Sequence, residues 1–487
     1  MADIANDAPA AIDPDLPTRT IYDDAPPAAL LEFMLSGWAP KSGLPSPIEG
    51  IEHFAARRAA LSAAFPGEVL VVPTGHEKVR ANDTTYRFRP GSDFYYLTGN
   101  LEPDGVLVMT PHAGGHDALL YVEPNPGKSD ATFFTDRVKG ELWVGPRLGV
   151  AESAVRFGLP ARGLPELLGD MRVLNREDEL RPFRLLRGLA PRLEAVLPAQ
   201  ADRDAAFAAA LSEMRLIKDA AEIAELQKAI DATRRGFEDV IRALPTAATE
   251  RYVEGVFNLR ARVDGNDVGY GTIAASGAHA CTLHWTSNDG VLRPTELLLL
   301  DAGVEAHTLY TADITRTIPI GGRFSREQRE IYALVLAAQD AGFAACRPGN
   351  DFLDPNRAAM AVLAHGLARL GILSDAGEAL ADTNQFYKRY SLHNVSHMLG
   401  LDVHDCAQAR RETYKFGKLA PGMVLTVEPG LYFQPDDLTV PERYRGIGIR
   451  IEDDVVITID GCRVLSAGLP RETDAVEAWM RDLWDQT

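Results

Sequence analysis

The chain has 487 residues, 46% hydrophobic and 24% charged, enough for two or three domains with their own cores and too apolar for wholesale disorder. Lys and Arg number 50 against 69 Asp and Glu, a net charge of -19. That excludes DNA or RNA as the main partner, because phosphate binding needs a basic surface.

Residues 1–48 are rich in Ala, Pro and Asp and read as an extended arm, with one apolar patch, ALLEFMLSGW, that could dock it. The opening lacks a basic region leading into an apolar run, so no secretory signal is expected. No stretch reaches the roughly 18 apolar residues of a membrane helix. HFAARRAALSAAF (53–65) predicts a helix; GEVLVVPTG (67–75), FYYLTG (94–99), GVLVMTP (105–111) and DALLYVEP (117–124) predict strands. This is a mixed α/β domain over 49–200. Residues 203–244 predict one long helix ending before Pro245, and 201–245 is taken as the link into a second domain over 246–470, followed by a tail, 471–487. There ELLLLDAGV, DITRTIPIGG, GMVLTVEPGLYF and GIGIRIEDDVVIT predict strands, with helices at 325–347 and 356–371. The second domain is therefore α+β, a largely antiparallel sheet flanked by helices. Cys281, Cys346, Cys406 and Cys462 form no CxxC pair, which fits a reducing cytoplasm better than a disulfide framework.

Charged residues interrupt the apolar strands of the second domain. Asp301 follows four leucines, Asp313 opens DITRT, Glu428 ends LTVE, and Glu452 follows Ile451; His393, His397 and His404 lie in HNVSHMLGLDVHD. Alternation of faces lets a hairpin bring Asp301 and Asp313 to one side. A lone Asp after a strand is ordinarily a turn former, and a lone His an ordinary core or surface residue. Four carboxylates in apolar strands need more, since burying one unpaired carboxylate costs several kcal/mol. Arg316 and Arg450 could neutralise two; two divalent cations would neutralise all four, and oxygen ligands with a single imidazole suit Mn²⁺, Co²⁺ or Zn²⁺, Mn²⁺ first.

The ordered set Asp301, Asp313, His397, Glu428, Glu452, with LLLLDAG, DITRTIPIGG, SHMLGLDVHD, PGMVLTVEPGLY and GIGIRIEDD around it, resembles the pita-bread metallopeptidases, which include methionine aminopeptidase, prolidase, aminopeptidase P and creatinase. FAARRAAL and RFRPGSDFYYLTGNLEPDGVLVM resemble the amino-terminal, creatinase-like domain of aminopeptidase P. The resemblance implies a pita-bread catalytic fold and hydrolysis that releases the first residue of peptides with proline second, by a water between two metal ions. It implies Asp301 on one metal, Asp313 and Glu452 bridging, and His397 and Glu428 on the other. Glu428 would shuttle the proton, His393 and His404 would contact substrate, His284 would be a further active-site histidine, and Arg450 would anchor a ligand carboxylate. A homodimer or homotetramer is also implied. Prolidase, which cuts Xaa-Pro dipeptides, is the alternative; a non-catalytic peptide-binding member of the fold comes behind it. Two departures stand out: the Asp301–Asp313 spacing is one residue long, which predicts an enlarged turn or bulge in VEAHTLYTA and leaves the seat of His307 open, and Asn394 stands where Gly is common. Cys406 reads as a buried structural thiol, Tyr95, Tyr96, Tyr387 and Tyr390 as packing residues, and the hydroxyls of HTLYTADITRT as strand threonines.

Overall fold

The computed structural model describes residues 26–39, 41, 43–174 and 182–486. The described residues fall into two compact units, one ending at Leu211 and the other beginning at Ser212.

The first unit is built on a five-stranded mixed sheet in the order Ala161–Gly163, Gly115–Val122, Val106–His112, Val69–Pro73, Phe183–Leu185. The two outer pairings are parallel and the inner ones antiparallel. Val69–Pro73 is buried at every position, which is why it reads as a continuous apolar run rather than an alternating one. Val69, Val71, Val106, Val108 and Tyr121 pack with Leu167 and Met171 of the helix Leu164–Leu174. Most of the predicted arm lies outside the described residues; within it, Ala28–Met34 is a helix with no buried residue, and the Trp38 ring meets Phe133 edge-on at 5.6 Å.

FYYLTG is a helix, Ser92–Thr98, and not a strand. Phe94 to Thr98 are all buried, so no periodicity separates helix from strand there. Local bonds decide: the Thr98 hydroxyl donates to Phe94 O at 2.8 Å, and Gly99, at φ +69°, closes the helix through its N–H to Tyr95 O. The single helix expected over 203–244 is two, Ala201–Met214 and Ala220–Ala243. Asp219 ends the run by capping the second: its carboxylate accepts from Glu222 N, and Glu222 answers to Asp219 N.

The second unit is α+β, and every strand pairing in it is antiparallel. Leu297–Ala302 is central to one sheet, between Ile314–Pro319 and Ile273–Ser276. Asp453–Ile457 is central to another, between Val424–Val427 and Cys462–Val464. A ribbon of Gly430–Tyr432 and Gly448–Arg450 follows Val424–Val427 and precedes Asp453–Ile457 along the chain, and Glu452 N–H donates to Thr315 O, linking the second sheet's segment to the first. Long helices, Ala220–Ala243, Glu250–Asp264, Arg326–Ala345 and Asp354–Arg369, accompany the sheets. Between Asp301 and Asp313 the chain makes a turn: Ala306 N–H donates to Tyr310 O, and Leu309 sits at φ +66°. Pairing on either side is undisturbed, Asp301 opposite Thr315 and Ala302 opposite Ile314. His307 is exposed at that turn.

Candidate metal centre

Each acidic residue of the cluster sits at a strand end or in a gap between strands, where the backbone is committed to pairing and the side chain is free to turn inward. Asp301 is the fifth residue of Leu297–Ala302 and Asp313 immediately precedes Ile314–Pro319. Glu428 lies between Val424–Val427 and Gly430–Tyr432, and Glu452 between Gly448–Arg450 and Asp453–Ile457. His397 is fixed by a two-way backbone tie to Thr426, whose N–H donates to His397 O and whose hydroxyl accepts from His397 N.

These five side chains line one cavity of about 560 Å³, together with His284, His393, His404, Tyr270, Asn394 and the apolar Ile273, Leu283 and Val403. One oxygen each of Asp313 and Glu452 and one nitrogen of His397 lie within 4.8 Å of one another. His397 Nδ1 is 3.1 Å from Met398 O, which makes it the protonated nitrogen; Nε2 then points at Asp313 Oδ2 at 3.2 Å and Glu428 Oε1 at 3.5 Å. A lone pair facing two carboxylate oxygens requires a cation between them, a proton or a metal ion.

The counter-charge within the protein is small. Arg450 Nη2 donates to Asp301 Oδ2 at 2.6 Å, Nη1 to the Tyr432 hydroxyl at 3.0 Å, and Nε to Thr315 Oγ1 at 3.1 Å. Arg316, the other expected counter-ion, pairs with Asp453 Oδ1 at 2.7 Å and reaches only the backbone oxygen of Glu452, because it points to the opposite face of its strand from Thr315. With one guanidinium against four carboxylates, burial pushes Asp301 up, Glu428 up to about 7, and Glu452 well above the carboxylate range. Burial by itself would lower His397; the hydrogen bond and charge of Asp313, with Glu428, outweigh it and raise it to about 9. All these displacements have one sense: the pocket lacks positive charge. Four oxygen ligands and one imidazole nitrogen, desolvated and under-neutralised, fit hard or borderline divalent cations.

The other expected residues stand around this floor. His393 is held on both sides, Nε2 2.8 Å from the Tyr432 hydroxyl and Nδ1 2.9 Å from Asn394 O and 3.4 Å from Glu428 Oε2. Burial, then the nearby Arg450, depress it to about 4, so it is neutral near pH 7. His404 stacks edge-on against His397 with ring centroids 4.4 Å apart, and His284, exposed, lines the same cavity. Cys406 is fully buried with its thiol pushed up to about 12 by burial, inert as a nucleophile.

Several participants escape the sequence reading. The Tyr270 hydroxyl lies 2.6 Å from Asp301 Oδ1 and 2.5 Å from Asp313 Oδ1. Thr315 accepts from Arg450 and donates to Glu452 Oε2 at 2.6 Å. It is one of the threonines set aside as ordinary strand residues; its position two after Asp313, on the same strand face, is the signal that could have found it. Asp454, whose carboxylate accepts from Asp313 N at 3.2 Å, is likewise buried and pushed well above its ordinary range. Tyr432 carries no sequence signal of its own.

Known proteins resemble this chain over most of its length. Residues 224–459 match the model of metallopeptidase family M24, and residues 54–169 match that of the aminopeptidase P N-terminal domain. An Xaa-Pro aminopeptidase 1 of Streptomyces coelicolor is 53% identical over 93% of this chain and 92% of its own. The Xaa-Pro aminopeptidase of Escherichia coli is 34% identical over 88% of this chain and 97% of its own. The solved structure of aminopeptidase P from E. coli with the inhibitor Pro-Leu superimposes with a TM-score of 0.79 at 32% identity, over 91% of this chain and all of that one.

Proposed function

The chain belongs to metallopeptidase family M24, and on that premise we propose that it is an Xaa-Pro aminopeptidase, a metal-dependent hydrolase that releases the amino-terminal residue from peptides with proline second. The observation that carries the reading is the convergence of four carboxylates and one imidazole on a cavity with a single guanidinium to balance them. Asp301, Asp313, His397, Glu428 and Glu452 would hold two divalent ions, Mn²⁺ first, with Co²⁺ or Zn²⁺ as alternatives. When bound, such ions supply Lewis acidity to a water and to the scissile carbonyl.

The remaining work falls to the protein. Arg450 holds Asp301 directly and Glu452 through Thr315, so one planar guanidinium sets the orientation of two ligands. Glu428 is placed to carry a proton to the leaving nitrogen, with His393 beside it to take up its position relative to Tyr432. His404 and His284 present rings to the open part of the cavity, where a peptide would lie. Ile273, Leu283 and Val403 offer an apolar wall suited to a pyrrolidine ring. Proline nitrogen carries no hydrogen, so a site of this kind must recognise ring shape rather than an N–H donor.

Among the described residues no helix is long and apolar enough to cross a membrane; the four free cysteines support a cytoplasmic enzyme. A homodimer or homotetramer follows from the family resemblance and is read by light scattering. The deciding assay is a peptide panel on chain stripped of metal and reloaded with Mn²⁺. An Xaa-Pro tripeptide or tetrapeptide should be cut at least as well as the Xaa-Pro dipeptide. Cleavage of dipeptides alone would replace this reading with prolidase.

A further inference from the structure

The segment from Ser276 to Gly290 forms one wall of the catalytic cavity, contributing Leu283, His284 and Thr286. It has little regular structure of its own, only a short 3-10 turn at Gly277–Cys281. What organises it is a carboxylate that the mechanism above does not use. Glu250, the first residue of the helix Glu250–Asp264, is completely buried. Its Oε1 accepts from Ser276 N at 2.6 Å and Ser276 Oγ at 2.8 Å, and lies 2.9 Å from His279 Nδ1. Its Oε2 accepts from Trp285 Nε1 at 2.8 Å and Gly290 N at 2.7 Å. A buried carboxylate with its acceptor sites filled this way is stable as the anion. The approach is close: a Cβ on Gly290 would come within 2.7 Å of the carboxylate, so any other residue there would have to push Glu250 off its donors.

The ends of the segment have other anchors. Asn288 is tied to the neighbouring strand, accepting from Ala274 N and donating to Thr272 O. Cys281 is tied through its thiol to Phe433 O and through its carbonyl to Gln434 Nε2. Between them the indole of Trp285, next in sequence to His284, is pinned by its bond to Glu250 and by stacking on His279, with centroids 3.9 Å apart.

We propose that Glu250 is a positioning residue for the substrate-binding wall: by gathering five donors of segment 276–290 it fixes Trp285, and through Trp285 the place of the His284 ring in the cavity. It acts through His284 and does not itself touch substrate. The assignment rests on the Xaa-Pro reading only for what His284 contacts.

The test is a mutant cycle on the full-length, metal-loaded chain with an Xaa-Pro tripeptide. Glu250→Gln preserves size but turns an amide NH₂ toward N–H donors. It should raise KM by about tenfold while kcat stays within about threefold. His284→Ala should do the same, and the double variant should be no worse than His284→Ala by more than about twofold. Independent, multiplying losses, or an unchanged KM in Glu250→Gln, would overturn the proposal. Should Glu250→Gln fail to fold, Trp285→Phe removes one donor while keeping an aromatic ring, and should move KM the same way by about threefold; an unchanged KM there overturns the proposal equally. A second readout needs no turnover. The carbethoxylation rate of His284 by diethyl pyrocarbonate, followed by peptide mass spectrometry on the metal-loaded chain without substrate, should change by about threefold or more in the Glu250 or Trp285 variant. An unchanged rate overturns the positioning role, whereas a parent chain that cuts no Xaa-Pro peptide overturns the assigned activity and leaves this measurement to judge Glu250.

Discussion

Glu452 shows how much rests on single side chains. It is buried to 1% exposure, has Thr315 as its hydrogen-bond donor, and is one of the side chains that would hold metal. Glu452→Gln keeps its shape and removes its charge; bound metal, read by elemental analysis, should fall to about one ion or fewer per chain and kcat by about a hundredfold or more. Arg450→Lys makes a complementary prediction. An ammonium cannot serve Asp301, Tyr432 and Thr315 at once as the guanidinium does. Metal should stay near parent content while kcat falls by about tenfold or more. Such residues differ in how visible they are in a bare sequence. A carboxylate breaking a run of leucines or valines stands out because its desolvation demands a reason. Tyr270 and Tyr432 do not, since a tyrosine between glycines or at the end of an apolar strand is unremarkable until the fold aims its hydroxyl. Glu250 is hidden further: it opens an ordinary amphipathic helix, where an acidic residue is expected on dipole grounds.

Elements in the second unit are legible where strand and helix periods are clear; alternation suggests a hairpin that brings Asp301 and Asp313 to one side, but the register that sets Asp301 opposite Thr315 comes only from the structure. Legibility fails where burial is uniform, as in Ser92–Thr98, and where one capping residue divides an otherwise continuous helical pattern, as at Asp219. That break has a use. It leaves Arg215 and Lys218 on a short connector, both nearly fully buried, against Asp405, next to His404. Lys218 Nζ donates to Asp405 Oδ2 at 2.9 Å. Removing the ammonium in Lys218→Met should destabilise the chain by about 3–5 kcal/mol, measured by denaturant unfolding. Burial alone would raise the Asp405 carboxyl; Lys218, then Arg215, outweigh it and hold it below its ordinary 3.8. A folded-state value below the unfolded one means the pair's stabilisation is present above about pH 4 and is lost as pH falls through the folded value. Stability measured from pH 5 down to pH 2 should therefore drop less steeply in Asp405→Asn than in the parent, by about one proton's slope. Equal slopes would dissociate this pair from acid unfolding.

For the whole molecule, a carboxylate floor that held ions would make metal part of the folded state rather than an accessory. Four buried carboxylates with one guanidinium repel one another, and the unfolded chain has no such cage, so ions that bind only the native state stabilise it by mass action. Stripping with a chelator should lower the thermal midpoint by about 5 °C or more, and Mn²⁺ at about a hundred times its dissociation constant should restore it. Ca²⁺ at the same concentration, larger and indifferent to imidazole, should restore less. A midpoint insensitive to metal would mean that the floor is neutralised by protons. The net charge of -19 acts in the same direction, concentrating cations around the molecule at low ionic strength.

The turn at 306–310 has a practical corollary. Its apex stands clear of the register that pairs Asp301 with Thr315, while Thr308 and Tyr310 moor its flank to Glu225 and Glu222. Length there is decoupled from ligand spacing, so the exposed His307 marks a graft point, where a fluorophore or short epitope could report on the neighbouring cage without entering it.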